Sequence, residues 1–454
     1  MLNNFPYQLL KFSKTIWYFH LSPYNGENYI WVDYNKLAYE EKSLINYDFR
    51  YSSRKISDLD ASYQALVKGV MAQSSNKINY NDIKVFPEDI YRFNRKYFNK
   101  IWLGVILFFR LLFLNNPLKE LVAIYRTRSV EKQDVFNRHC VYNGYDRYNS
   151  KLVKANQLIS IIIPTLNRYS PLKNLLYDLT KQIYSNFEVI IIDQSDPFNE
   201  FFYSEIRLNL NLIKQKKPAL WEARNTGIIS AKSNYLLFLD DDSRVAEDWL
   251  LQHIKCLDYF NADISSGVSL SLIGAKIPDN YTFFRWSDQL DTGNVLIKRS
   301  VFKICGLFDE QFEGMRMGDG EFGVRAYLNG FKNVSNCKSY RIHLKNNTGG
   351  LREIGHWDSF RSSSIFSPLP IPSVLYFWRK YWGDKSALLN CSIILPTSLT
   401  SYKNKNNLLS IIFSLILFII FIPFLILRFI FSWKMASKMI LDGSKIYRSR
   451  LNMD

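Results

Sequence analysis

The chain has 454 residues, 47% hydrophobic and 22% charged, proportions that exclude a wholly disordered, collagenous or polytopic membrane protein. Lys and Arg number 58 against 41 Asp and Glu, and the resulting +17 points to anionic partners: nucleic acid, nucleotide phosphates or anionic lipid headgroups. Five scattered cysteines without a C-x-x-C pair speak against a disulfide framework or a zinc knuckle and for a reducing compartment.

The first residues lack a basic stretch followed by an apolar run and a small-residue cleavage site, so the bulk of the chain is expected in the cytoplasm. Residues 1–150 form an accessory region in which Thr15–His20 and Tyr29–Tyr34 resemble strands. One helix is expected to start at Ser57 or Asp58, with Leu66, Val67, Val70 and Met71 on its apolar face. Ile101–Leu114 is apolar apart from Gly104 and Arg110, and as a helix its length is about 21 Å, too short to span a bilayer. It is either a buried core helix or an interfacial one, flanked as it is by Arg92, Arg95, Lys96, Lys100, Lys119, Arg126 and Arg128.

From residue 157 to about 365 short β-branched runs alternate with helical stretches, the pattern of a parallel sheet with crossover helices. Ile159–Ile163 ends at Pro164 and Thr165, Val189–Ile192 at Asp193, and Tyr235–Leu239 at Asp240, Asp241 and Asp242. Such tips lie at the carboxyl edge of the sheet, where α/β proteins bind ligands. Three adjacent carboxylates are tolerated most easily around a divalent cation, and hard oxygens suit Mg²⁺ or Mn²⁺ bridged to a diphosphate. The alternative is an Asp-rich turn capping a helix over Val245–Leu257 through Ser243 or Asp242. Arg224, in the first turn of another helix, is a residue able to stack on a base or pair with phosphate.

The ordered series IIIPTLNR, VIIIDQSD and ARNTGIISAKSNYLLFLDDD resembles the inverting glycosyltransferase family 2, over about residues 157–345. The resemblance implies a GT-A-type, Rossmann-like, mostly parallel sheet with flanking helices. It implies that Pro164, Thr165, Asp193, Arg224, Asp240 and Asp241 belong to the donor site and that Asp242 binds the metal. Met317–Arg325 resembles the family's second acidic motif, with Asp319 as general base and Gly318 where glutamate is common. His343 is similar to the histidine that completes the metal shell, and the Gly349–Arg352 that follows it is expected to form a flexible flap over the diphosphate. For Asp319 the alternative is a cap of the helix Gly320–Leu328, and for Trp286 sugar stacking competes with a core position.

A proline-spaced connector over Ser367–Pro372 leads to residues 366–454, where Leu408–Leu427 is uncharged and about 30 Å long as a helix, enough for a transmembrane segment. Basic residues on both flanks, and Pro423 within the run, favour a re-entrant or in-plane hairpin over a single span. The expected protein is a metal-dependent glycosyltransferase at the cytoplasmic face of the membrane. It uses a nucleoside-diphosphate sugar as donor and a glycan, lipid-linked or free, as acceptor in surface polysaccharide assembly, with membrane lipid and no nucleic acid as partner. The alternatives are a polyprenyl-phosphate glycosyltransferase of the same fold and a non-catalytic membrane scaffold.

Overall fold

A computed structural model describes residues 7–27, 29–72, 83–271, 277–345, 366–399 and 407–447. The chain divides into one unit of Met1–Cys140 with Trp357–Leu441 and a second of Val141–His356 with Asp442–Asp454. The amino- and carboxyl-terminal regions, read separately in the sequence, thus belong to one unit. Within it the Trp382 indole donates to the Trp17 carbonyl at 3.1 Å.

The second unit holds one sheet of nine strands: β1 (Ile159–Thr165), β2 (Phe187–Asp193), β3 (Leu210–Lys214), β4 (Tyr235–Leu239), β5 (Ser243–Val245), β6 (Ile264–Ser271), β7 (Arg285–Trp286), β8 (Asn294–Lys298) and β9 (Asn333–His343). The order is β3-β2-β1-β4-β8-β6-β9-β5, with β7 beside β9. The strands β3, β2, β1 and β4 are mutually parallel, and β6 is parallel to β9. β8 runs antiparallel to β4 and β6, and β5 and β7 run antiparallel to β9. The expected mostly parallel sheet is therefore mixed. Its β-α-β half was legible because strands covered on both faces are continuously apolar, and β1 is buried at all seven positions. Its other half, built on β6, β8 and β9, pairs segments that are far apart in the sequence, and β6 and β9 carry many polar residues.

Chain order reverses on either side of β1, with β2 on one flank and β4 on the other, so the β1/β4 tips form the topological switch point. Pro164 contributes to the crevice there. β1 pairs with β2 through Thr165, but its ladder with β4 stops at Ile162 and Phe238. Proline has no N–H to donate to a neighbouring strand, so β1 and β4 part just where their polar tips begin. The helix Leu220–Ser230 packs on this region through Gly227, where any Cβ would overlap the Ile162 side chain.

The first unit has no strand among its described residues. The aromatic runs read as strands are irregular or 3₁₀ segments whose rings Trp17, Phe19 and Trp31 are buried, because aromatic residues fill a core equally well from a loop. The helix expected from Ser57 spans Arg54–Val67 and is capped by Ser53, whose hydroxyl accepts from the Ile56 N–H at 3.4 Å. Leu408–Leu427 is not one helix: Leu408–Ile420 and Ile422–Asp442 are separated at Phe421, and Ile412–Ile420 is bent by 82° from the second helix. Pro423 supplies the cause, since it cannot donate to the preceding turn. Among the described residues no single helix is long and apolar enough to cross a membrane. All five cysteines are free.

Candidate active site at the switch point of the sheet

The three carboxylates after β4 do not cap a helix. The chain enters β5 directly, and the next helix, Trp249–Tyr259, starts six residues later after Asp248. Each aspartate instead has its own set of partners. Asp240 accepts from Arg224 at 3.0 Å through Oδ1 and from Arg341 at 2.9 Å through Oδ2. Asp241 accepts from the Thr165 hydroxyl at 2.8 Å and from Arg168 at 3.3 Å. Burial and the neighbouring Asp242 and Asp240 charges push Asp241 up to about 7, although Arg168 and Thr165 act against the rise.

Asp242 lies 3.2 Å from Arg168 and 3.3 Å from the His343 ring. Burial alone would raise its pKa, but His343 and Arg168 hold the carboxyl below its ordinary range. The 101-residue gap to His343 is closed by β5, in which Ser243 pairs with His343 and the Leu344 N–H donates to the Asp242 carbonyl at 2.9 Å. Ligand atoms of Asp240, Asp242 and His343 lie within 4.8 Å of one another. Asp242 Oδ1 and His343 Nε2 are buried and face each other at 3.3 Å without a well-formed hydrogen bond, and His343 Nδ1 is buried with no hydrogen-bond partner. Buried polar atoms ordinarily find partners, so a carboxylate and an imidazole in this state, with the Asp240 carboxylate next to them, fit a hard divalent cation.

Asp193 stands on β2 with its carboxylate engaged by the hydroxyls of Tyr169 at 2.9 Å and Tyr203 at 2.7 Å and by the Ser195 N–H at 2.8 Å. It shapes the loop beside Thr165, to whose carbonyl the Gln194 N–H donates at 3.0 Å.

Arg224 is fixed by the start of its helix. Glu313 accepts from the Leu220 and Glu222 N–H groups at 2.8 Å each, replacing the missing side-chain cap, and the Trp221 indole donates to the Phe312 carbonyl at 3.0 Å. The same segment leads into the helix Gly318–Leu328, which carries Asp319 in its first turn. A Cβ at Gly318 would run into the Trp221 indole, so the departure from glutamate at this position follows from packing. Asp319 is half-buried and accepts from the Gly320 N–H at 2.7 Å. Burial and the Asp291 charge push it up to about 6, with Arg224 pulling the other way.

Arg341 ties the two halves together. It is 1% exposed and reaches Asp240, Ser243 and Ser269 at 2.8–2.9 Å and Asp291 at 3.2 Å. Asp319 feels Arg224 and Asp291, both of which join Asp240 through this network, so the general-base candidate and the acidic triplet share one electrostatic field. The sequence reading missed Arg341, Arg168, Asp291 and Glu313. Arg341 sits two residues before His343 in a strand, a spacing that puts both on one face, and that was the available signal. Trp286 is 2% exposed and belongs to the core, and the Gly349–Arg352 flap lies outside the described residues.

Replacing Arg341 by Met should strand Asp240 and Asp291 without their shared cation and cost about 3–5 kcal/mol, read as a lower urea midpoint. An unchanged midpoint would show that the network is dispensable.

The tips of β1 and β4 thus gather carboxylates, a histidine and arginines at the switch point, the place where open α/β sheets bind ligands. Residues 160–300 match the family model Glycosyl transferase family 2, and the chain carries a domain of that family. It is 29% identical over 190 residues to glycosyltransferase GlyA of Streptococcus pneumoniae, covering 38% of this chain and 27% of the relative. It is 26% identical over 298 residues to chondroitin synthase of Escherichia coli, covering 52% of this chain and 42% of the relative. The chain thus spans less than half the length of these two curated relatives. Among solved structures, S. aureus TarS 1–349 in complex with UDP is similar at 18% identity and a TM-score of 0.40, covering 54% of this chain and 73% of that one.

Proposed function

We propose that the protein transfers a sugar from a nucleoside-diphosphate sugar to a hydroxyl of a glycan acceptor, with inversion, in polysaccharide assembly at the cytoplasmic face of a membrane. The observation that carries this reading is the convergence of Asp240, Asp242 and His343, with Asp242 Oδ1 and the His343 ring nitrogens lacking a well-formed hydrogen bond, in one electrostatic network with a half-buried Asp319 of raised pKa. The polysaccharide-making relative supports the acceptor class, and the bent apolar pair near the carboxyl terminus supports membrane association.

In this scheme Asp240, Asp242 and His343 would hold a divalent cation, which would supply charge compensation for the diphosphate. Thr165 and the loop ordered by Asp193 border the nucleotide, and Arg168 and Arg224 place positive charge at the crevice. As the acceptor oxygen attacks the anomeric carbon, the bond to the diphosphate oxygen breaks and its electron pair leaves with the diphosphate. Asp319 accepts the hydroxyl proton in the same step. One displacement inverts the anomeric configuration and needs no covalent enzyme intermediate.

The test is a donor screen on the full chain with Mn²⁺, detecting released nucleoside diphosphate and then the acceptor product. Turnover of at least one nucleotide sugar, dependent on an added glycan or lipid-linked glycan, is expected. Transfer to polyprenyl phosphate alone would favour the alternative acceptor, and no donor binding under any condition would contradict the assignment.

A further inference from the structure

The first unit carries a pair of helices, Ile101–Leu112 and Pro117–Arg126, whose apolar side chains face the wrong way for a core. Of the first helix only Ile106 and Phe109 are buried, and Phe109 stacks on Phe12 at 5.8 Å. Phe108, Leu112, Leu118, Leu121 and Tyr125 are all more than half exposed, and Leu114 at the turn is 93% exposed. Leu114 also has φ +58°, a left-handed conformation that a leucine side chain disfavours, held at the tip of the hairpin. Large apolar side chains gathered in the open on two successive helices and their turn mark an interaction site.

Its electrostatics identify the occupant. Arg110, the lone charge in the first helix, turns inward and is neutralised by Glu120 through two contacts of 2.7 and 2.8 Å, and the Tyr91 hydroxyl donates to the same carboxylate at 2.9 Å. The apolar face is therefore free of net charge. Around it stand Lys100, Lys119, Arg126 and Arg128, all exposed, with Glu88 the carboxylate paired to Arg126 at 2.8 Å. Arg128 lies over the exposed Tyr125 ring at 3.8 Å, an amphipathic pair suited to a headgroup layer. Twelve helical residues extend about 18 Å, too short to cross the hydrocarbon core.

We propose that this hairpin is an in-plane lipid-binding site that immerses Leu114 and its neighbours in the outer part of an anionic bilayer leaflet, with the basic rim on the headgroups. The inference adds a second membrane element to the association proposed above, and it stands or falls separately from residues 408–442 because its readout is local. The full chain carrying Leu114→Cys, with Cys140→Ser and Cys337→Ser to silence the two partly exposed thiols, is labelled at residue 114 with an environment-sensitive fluorophore. Vesicles of phosphatidylglycerol and phosphatidylcholine should shift its emission to the blue, raise it several-fold and make it quenchable by lipid-borne spin labels. Phosphatidylcholine alone should give a weaker response, and adding Phe108→Asp with Leu118→Asp should remove it. A label unmoved by vesicles that co-sediment with the protein would overturn the proposal. So would an emission already blue-shifted without lipid that reverts on dilution, which would make a second copy of the chain the occupant.

Discussion

Asp319→Asn is expected to lose turnover by about 10²–10⁴-fold, the usual contribution of a positioned general base, while the affinity for the donor stays unchanged. Asparagine keeps the shape and the hydrogen bond from Gly320 but cannot take the acceptor's proton. The wild-type kcat/KM should show an acid limb near pH 6, the value to which burial and Asp291 raise this carboxyl, because the base must be ionised to act. The same shift has a stability consequence. A folded pKa of about 6 against an ordinary 3.8 means that the stabilising protonated form is fully present below the ordinary value and is lost as pH rises through 6. At neutral pH the ionised group costs about 1–3 kcal/mol after allowance for its partial exposure. Asp319→Asn should therefore melt a few degrees higher than the wild type at neutral pH and no higher below pH 4. Full turnover in the variant would remove Asp319 from the base role, and a lower melting temperature would show that its carboxylate is structurally required.

Asp242→Ala should remove the most central of the three candidate ligands and cost about 10²–10³-fold in turnover, several kcal/mol of lost charge compensation at the diphosphate. Its neighbour Arg168 remains, so positive charge persists at the crevice, and the loss is specific to cation-dependent binding. Because the Asp242 carboxyl is held below its ordinary range, its contribution to stability is present above that range and fades as pH falls through the lowered value. The variant should accordingly be less stable than the wild type near neutrality and lose that difference in acid. A variant with undiminished Mn²⁺-dependent turnover would sever Asp242 from the site.

Part of this site could be read from the chain alone. β1, apolar up to Pro164 apart from Ser160, and β4 end in Pro164–Thr165 and Asp240–Asp242, and a doubly covered strand that stops in polar residues announces both its burial and its functional edge. Asp319 and His343 were named through a resemblance, because nothing local distinguishes them from a helix-start aspartate and a strand-end histidine. The device that brings His343 to Asp242 is the three-residue β5, too short and too polar to register as a strand. Arg341 looks like an ordinary alternating strand position until β9 is placed between β6 and β5. The mixed half of the sheet was illegible for the same reason: its pairings join segments far apart in sequence, and register depends on partners that one segment does not reveal.

In the first unit the failures come from composition. Aromatic and β-branched residues favour strands, yet around Trp17 and Trp31 they fill a core from irregular backbone, and no periodicity separates the two outcomes. The run over Leu408–Leu427 has the length of a span, but one proline divides it. Ile101–Leu112 is the converse case. Its sequence allowed a buried or an interfacial helix, and the inward ion pair of Arg110 with Glu120 leaves its outer face wholly apolar.

The cation site is tested most directly by electron paramagnetic resonance of Mn²⁺ titrated into the full chain with a panel of nucleoside diphosphates. One equivalent of Mn²⁺ should disappear from the free aqueous signal with the wild type, tightened by the matching nucleotide, and remain free with Asp242→Ala and with His343→Ala. Equal binding by the wild type and both variants would contradict the convergence of these residues on a shared ion.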